Sequence, residues 1–171
     1  MATLRKGKCY RNIERAYTRK SKYKKKGYIR AVPNHKIVKF DLGNLTKDFE
    51  GVASLYTKDR LQIRHNALES ARVVINRQLH KNLGASGYHL KLRVYPHHIL
   101  RENKMLTGAG ADSMQSGMQH SFGKAISTAA QLKEGQKIFS VYVDKKDINV
   151  AKEALKRAVA RLPCKCGIEA I

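Results

Sequence analysis

The chain has 171 residues, 42% of them apolar and 7% aromatic, enough to bury a core within one domain spanning 1–171. Its 35 Lys+Arg face 13 Asp+Glu, a formal net charge of +22, and self-repulsion of that size implies a polyanionic partner, nucleic acid before an anionic membrane. No apolar run spans a bilayer, no apolar N-terminal segment reads as a secretory signal, and the three cysteines (Cys9, Cys164, Cys166) fit reduced thiols in the cytoplasm.

Residues 1–30 hold half of that charge. Arg5, Lys6, Lys8, Arg11, Arg15, Arg19, Lys20, Lys22, Lys24, Lys25, Lys26 and Arg30 stand against Glu14 alone, a net of +11. Tyr10, Tyr17, Tyr23 and Tyr28 are interleaved with them. Such cations neutralise phosphates and such tyrosines stack on bases or ribose, so the segment reads as a nucleic-acid-binding arm. It has too little apolar material to fold alone and is expected to be extended until a partner orders it. A solvated basic tail is the alternative.

After the turn signal Pro33-Asn34, residues 36–42 read as a strand ended by Gly43-Asn44. Two more short strands, 49–56 and 61–64, flank a turn at Lys58-Asp59. Asn66 with Glu69 resembles a capping box, and the helix that follows carries Leu68, Ala71, Ile75, Leu79 and Leu83 on one stripe. Gly84 and Gly87 stop it. Residues 88–95 alternate: Leu90, Leu92 and Val94 face one way, and His89, Lys91, Arg93 and Tyr95 the other. The second row is basic and aromatic; it meets RNA or is simply wet.

Residues 101–124 contain four glycines and three methionines and show no helical or strand periodicity. A loop of that length is usually functional or disordered. The rest of the chain reads as a platform that holds it out. Within it, Glu102 between Arg101 and Lys104 suggests a local surface ion pair. Beyond it, 125–132 and 137–143 read as an antiparallel pair joined through Glu134-Gly135. Asp147 caps a second helix with the stripe Ile148, Ala151, Leu155, Ala158 or Val159, and Leu162, and 164–171 makes a last strand. The order of elements indicates α+β with a largely antiparallel sheet.

Motifs for chemistry fail on inspection. Gly108-Ala-Gly110-Ala-Asp-Ser113 lacks the third glycine of a dinucleotide fingerprint. Gly117 to Gly123-Lys124 has the wrong spacing for a phosphate loop and ends on Ala125 where a hydroxyl is needed. Cys164 and Cys166 are too few ligands for zinc even with Cys9, and adjacent His97 and His98 point apart on a strand. No cofactor or metal is expected. An RNA-modifying enzyme with the loop as a lid and His120 as base is one rival reading. A free-standing basic RNA chaperone is the other.

With these residues laid out, the chain resembles one family: the universal large-subunit ribosomal proteins numbered ten in archaea and eukaryotes and sixteen in bacteria. The resemblance rests on Cys9-Tyr-Arg11, Arg30-Ala-Val-Pro33, Phe40-Asp-Leu-Gly43, Ala67-Leu-Glu-Ser-Ala-Arg72, Gly87-Tyr-His89 and Arg93-Val-Tyr-Pro96. Most specific is Asn103-Lys-Met-Leu-Thr-Gly-Ala-Gly-Ala-Asp112, continuing through Gly117-Met118 to Phe122-Gly-Lys124. Eukaryotic members carry a C-terminal extension that a chain ending at Ile171 lacks, so the expected branch is archaeal.

The resemblance implies an α/β-hammerhead-like fold, no enzymatic activity, and a place in the large subunit on 23S-type rRNA near 5S rRNA. It implies neighbouring large-subunit proteins and the A-site and P-site tRNAs as partners. It implies that the loop reaches toward the peptidyl-transferase centre. Its candidate residues there are Arg101, Lys104, Met105, Gly108, Gly110, Asp112, Gln115, Gly117, His120 and Lys124.

Overall fold

The computed structural model describes residues 5–13, 32–115, 117–118 and 123–171. Arg15, Arg19, Lys20, Lys22, Lys24, Lys25, Lys26 and Arg30 of the arm lie outside the described residues, and so does His120 of the loop. The architecture is α+β, with two antiparallel sheets and two long helices. The five-stranded sheet has the order β1 (Asp41–Gly43), β4 (Tyr88–Leu92), β7 (Lys137–Val143), β2 (Gly51–Thr57), β8 (Cys166–Ala170). The three-stranded sheet has the order β3 (Leu61–Arg64), β6 (Lys124–Leu132), β5 (His98–Glu102). Helix α1 (His65–Leu83) and helix α3 (Ile148–Val159) pack side by side, α3 on the larger sheet and α1 against strands of both, and α2 (Ala111–Met114) is a single turn within the long loop.

The alternation in β4 sets the core. Leu90 lies opposite Val141 and Leu92 opposite Phe139, and those two β7 residues oppose Ala53 and Leu55 of β2. Leu68, Ala71, Ile75 and Leu79 lay the stripe of α1 on this layer, all fully buried, while Leu83 in the last turn is half-buried. From α3 come Ala151, Ala154, Leu155 and Ala158, and Leu162 closes the corner beyond it. Three of those are alanines, which lets the helices approach closely. Each fully buried Leu, Ile or Phe contributes roughly 1.5–3 kcal/mol.

The expected hairpin of 125–132 with 137–143 does not form. β6 pairs with β3 and β5, whereas β7 pairs with β2 and β4. The turn between them carries the chain from one sheet to the other, and Gly135 N–H donates to Thr57 O at the end of β2 (2.8 Å). The strand expected over 36–42 shrinks to β1. Residues before Phe40 leave the sheet, and Lys36 N–H donates to His65 Nδ1 at the head of α1 (3.1 Å).

Asn66 and Glu69 form no capping box. β3 runs into α1 without a linker, so the helix starts at His65 and Asn66 already lies inside its first turn. Glu69 accepts from Arg72 Nε instead (2.8 Å). Asp147 does stand at the N-cap of α3, but its side chain makes no capping bond. At the other end of α1, Gly84 takes a positive φ (+71°) that side-chain-bearing residues resist, and its N–H closes on His80 O (3.1 Å).

The long loop is the tip of a hairpin. β5 and β6 are antiparallel, with Glu102 opposite Lys124. Arg101 and Lys124, counted in the loop from the sequence, are therefore strand residues at its base. α2 escapes a periodicity search because it is only four residues long. No helix among the described residues is long and apolar enough to cross a membrane.

Candidate nucleic-acid interface

The described start of the arm is docked on its own platform. Gly7–Tyr10 form a 3₁₀ turn. Gln62 N–H donates to Arg11 O (2.9 Å) and Arg64 Nη2 donates to Arg5 O (2.9 Å), so the segment covers the outer edge of β3. An edge strand with unpaired backbone groups invites such cover. The Arg64 guanidinium lies 5.8 Å from the centroid of the Tyr10 ring. Arg5 is paired with Glu102 of β5. One expectation changes here: residues 5–13 are not a free extended arm, and Glu102 takes the distant Arg5 as an ion-pair partner. Backbone bonds to β3 supply what the arm lacks in apolar side chains.

Docking the turn beside the head of α1 leaves a cleft of about 590 Å³. Lys6, Lys8, Arg11, Arg64 and Arg161 line it together with Tyr10, Gln62, Asn66 and Ser70, and among the described residues no carboxylate does. Five cations with no acid among the described lining residues make a positive concavity. Burial, and then the charge of Glu102, push the Tyr10 phenol above its ordinary range, so it stays a neutral donor. Lys6, Lys8 and Arg11 are legible as candidates in the sequence; Arg64, Asn66 and Arg161 are not. They come from two separate places in the chain, the junction of β3 with α1 and the segment just beyond α3, and none breaks a pattern in the sequence. The one available signal is Arg64, a cation at an uninterrupted junction of strand and helix.

Lys91 and Arg93 lie on the sheet face opposite the buried row, as their alternation requires. Both are partly engaged. Lys91 Nζ is 4.0 Å from Asp41 Oδ1, and His89 Nε2 is 3.0 Å from the same oxygen while its ring stacks on Tyr142. Arg93 Nε donates to Ser140 Oγ (3.1 Å), which also meets Ser54 Oγ (3.1 Å). Tyr95 is 45% exposed and gathers Phe40, stacked at 5.3 Å, with His97 at 4.6 Å and His35, whose Nε2 is 2.9 Å from the Tyr95 hydroxyl. Two anchored cations beside an aromatic cluster suit an RNA surface.

The hairpin tip has a built neck. Arg101 Nε donates to Gly123 O (3.0 Å), and a Cβ on Gly123 would stand 2.8 Å from the backbone of Glu102, so only glycine fits. Above the neck, Gln115 bridges the two sides: Leu106 N–H donates to its Oε1 (2.6 Å) and its Nε2 donates to Lys104 O (3.5 Å). Asn103 Nδ2 donates to Met118 Sδ (3.5 Å). Beyond this clasp Met105, Leu106, Met114 and Met118 are each at least half exposed. Lys104, Gly108, Gly110 and Gly117 are exposed as well, and Asp112 lies in α2. The sequence-derived candidates thus divide among a cleft, a sheet face and a hairpin tip.

The thiols of Cys164 and Cys166 are 3.4 Å apart. The hydrogen bond from Cys166, joined by Thr57, pulls the half-buried Cys164 thiol below its ordinary pKa, and the same bond pushes Cys166 up. Among the described residues no three His, Cys, Asp or Glu side chains gather as a metal site would need.

Comparison with known proteins follows the same lines. The family described as Ribosomal protein L16p/L10e matches residues 17–169. The chain is 50% identical over 157 residues to the large ribosomal subunit protein uL16 of Methanoculleus marisnigri, covering 91% of this chain and 89% of that one. It is also 50% identical over 166 residues to the protein of the same description from Methanococcus aeolicus, covering 96% and 92%.

Proposed function

We propose, for a chain that belongs to the ribosomal protein L16p/L10e family and is therefore a structural constituent of the large ribosomal subunit, that its cationic cleft holds 23S-type rRNA while its hairpin tip positions tRNA. Family membership also makes it a component of translation, of archaeal type, on the cytoplasmic ribosome, and a structural part rather than an enzyme.

The cleft carries the rRNA part of this reading. Lys6, Lys8, Arg11, Arg64 and Arg161 converge there with no acid among the described lining residues. A chain with a net charge of +22 is stabilised by a polyanion, and this is where described cations gather without an acid in the lining. Within a single 171-residue domain, the arm over 1–30 adds its +11 to the same partner, in the neighbourhood of 5S rRNA. The tip is the part suited to tRNA. Its neck is clamped, its outer residues are small or flexible, and it carries little charge that would bind it to rRNA nearby. In this reading it reaches toward the peptidyl-transferase centre, beside the A-site and P-site tRNAs, and the outer face of the platform meets neighbouring proteins.

The test is the salt dependence of binding to deproteinised large-subunit rRNA. A K6Q/K8Q/R11Q variant should flatten the slope of log K against log salt by roughly 0.7–0.9 for each phosphate no longer neutralised. The backbone bonds that dock the turn are untouched by these changes. An unchanged slope would contradict the assignment.

A further inference from the structure

A second cleft, of about 410 Å³, opens between α1 and α3. Val73 and Val74 contribute its apolar part; Arg77 and Gln78 come from α1, and Arg157 and Arg161 from the end of α3 and just beyond it. It meets the first cleft at two shared residues, Ser70 and Arg161. Glu69 also lines the cleft, and both it and the nearby Glu153 are already engaged. Glu69 accepts from Arg72 (2.8 Å), and Glu153 accepts from Arg157 (3.2 Å). Arg157 Nη1 also donates to Gln78 Oε1 (3.0 Å), which fixes its guanidinium across the cleft. Arg77 and Arg161 are exposed and form no ion pair among the described residues.

The chemistry of this lining is selective. Guanidinium groups present a planar fork of donors that matches phosphate oxygens, and one already held in place loses less freedom on binding. Ser70, at the junction, supplies a hydroxyl donor of the kind that binds phosphates without reading sequence. From Ser70 to Gln78 the helix rises about 12 Å, enough for a few successive phosphates of one strand. In the sequence alone the polar face of α1 reads as merely solvated, because Arg157 and Arg161 reach it from about 80 residues further along the chain.

We infer that the two clefts form one continuous track for the sugar–phosphate backbone of an rRNA strand, running from the N-terminal turn over Ser70 to Arg77 and Arg157. This rests on the reading of the first cleft as an rRNA site and extends it to a helical face outside the arm, the sheet and the loop. Arg77 and Arg161 neutralise phosphates; Arg157 orients the strand between them.

The experiment compares wild type, R77Q/R161Q and a charge-matched control, K133Q/K146Q, whose exposed lysines lie outside both clefts. Each is titrated with deproteinised large-subunit rRNA at several salt concentrations, and thermal melting confirms that all three fold. The track predicts a slope shallower by roughly 1.4–1.8 for R77Q/R161Q, two phosphates at 0.7–0.9 each. The control should keep most of the wild-type slope. Equal slopes for the two variants would overturn the track, because only overall charge would then matter. A wild-type slope for R77Q/R161Q beside a flattened one for K6Q/K8Q/R11Q would overturn the track and confine phosphate neutralisation to Lys6, Lys8 and Arg11 of the first cleft. Should R77Q/R161Q keep the slope and instead lose a neighbouring protein from reconstituted subunits, the cleft would belong to a protein and the track would fall.

Discussion

Leu79→Ala probes the packing that holds every part of the interface in place. Leu79 is 0% exposed and lies on the stripe of α1 with Leu68, Ala71 and Ile75. Alanine is the better helix former, so the helix itself loses nothing and the effect is one of burial. Three carbons leave the core at about 0.8 kcal/mol each, roughly 2.4 kcal/mol in transfer alone. A cavity term is added because the surrounding layer is rigid: Leu90, Phe139 and Val141 of the same core are also 0% exposed. The expected loss is therefore about 3–5 kcal/mol, at the upper part of the range for buried leucines. Urea unfolding followed by circular dichroism reads it as a lower midpoint with an unchanged slope. At about 2–4 °C per kcal/mol for a chain of this size, melting should fall by roughly 6–20 °C. Val73→Ala on the same helix, where the side chain is 41% exposed, is the control and should stay within about 0.5 kcal/mol. A loss that small for Leu79→Ala would refute the placement of this stripe against the sheet.

Glu102→Gln removes the partner of Arg5 and should loosen the N-terminal turn; the Gln62 amide, bonded to Arg11 O, should then exchange with solvent faster, and an unchanged rate would deny the tether. Burial, aided by the charges of His35, Lys36 and Arg64, holds the His65 ring below the ordinary imidazole range, and burial does the same at His98. A depressed folded pKa means that stability is full above the unfolded value of about 6.5 and is lost as pH falls below it toward the folded one. Urea midpoints should accordingly drop on that side, less so in a His65→Gln, His98→Gln double variant, and identical pH profiles would contradict this. Alkylation by iodoacetamide at neutral pH, read by mass spectrometry, should modify Cys164 ahead of Cys166, and Cys166→Ala should slow it; equal rates at the two sites would argue against the shared hydrogen bond.

What the sequence discloses follows from periodicity. The stripe of α1 and the alternation of β4 repeat over many residues, so the burial of Leu68, Ile75, Leu79, Leu90 and Leu92 follows from their spacing alone. The partnering of strands does not. The turn at Glu134-Gly135 looks like a hairpin whether its strands pair or part, and the choice depends on which sheet has room for β6. Ion pairs escape for a similar reason. Glu102 has cations beside it in sequence, and nothing there points to Arg5, its partner 97 residues away. The cleft is half visible. Its lysines belong to a dense basic run, whereas Arg64 and Arg161 are single cations at the ends of elements. Only the junction of β3 with α1, and the chain just beyond α3, bring them together.

The central claim is that the clamped hairpin tip positions tRNA while the platform anchors it on rRNA. The direct measurement replaces residues 107–117 by a short Gly-Ser link and rebuilds large subunits with the variant. β5, β6 and the bond from Arg101 to Gly123 remain, so incorporation should match wild type. A-site tRNA affinity and peptidyl transfer should both fall. Normal incorporation with tRNA affinity and peptidyl transfer both at wild-type level would contradict the account and leave the tip without a role.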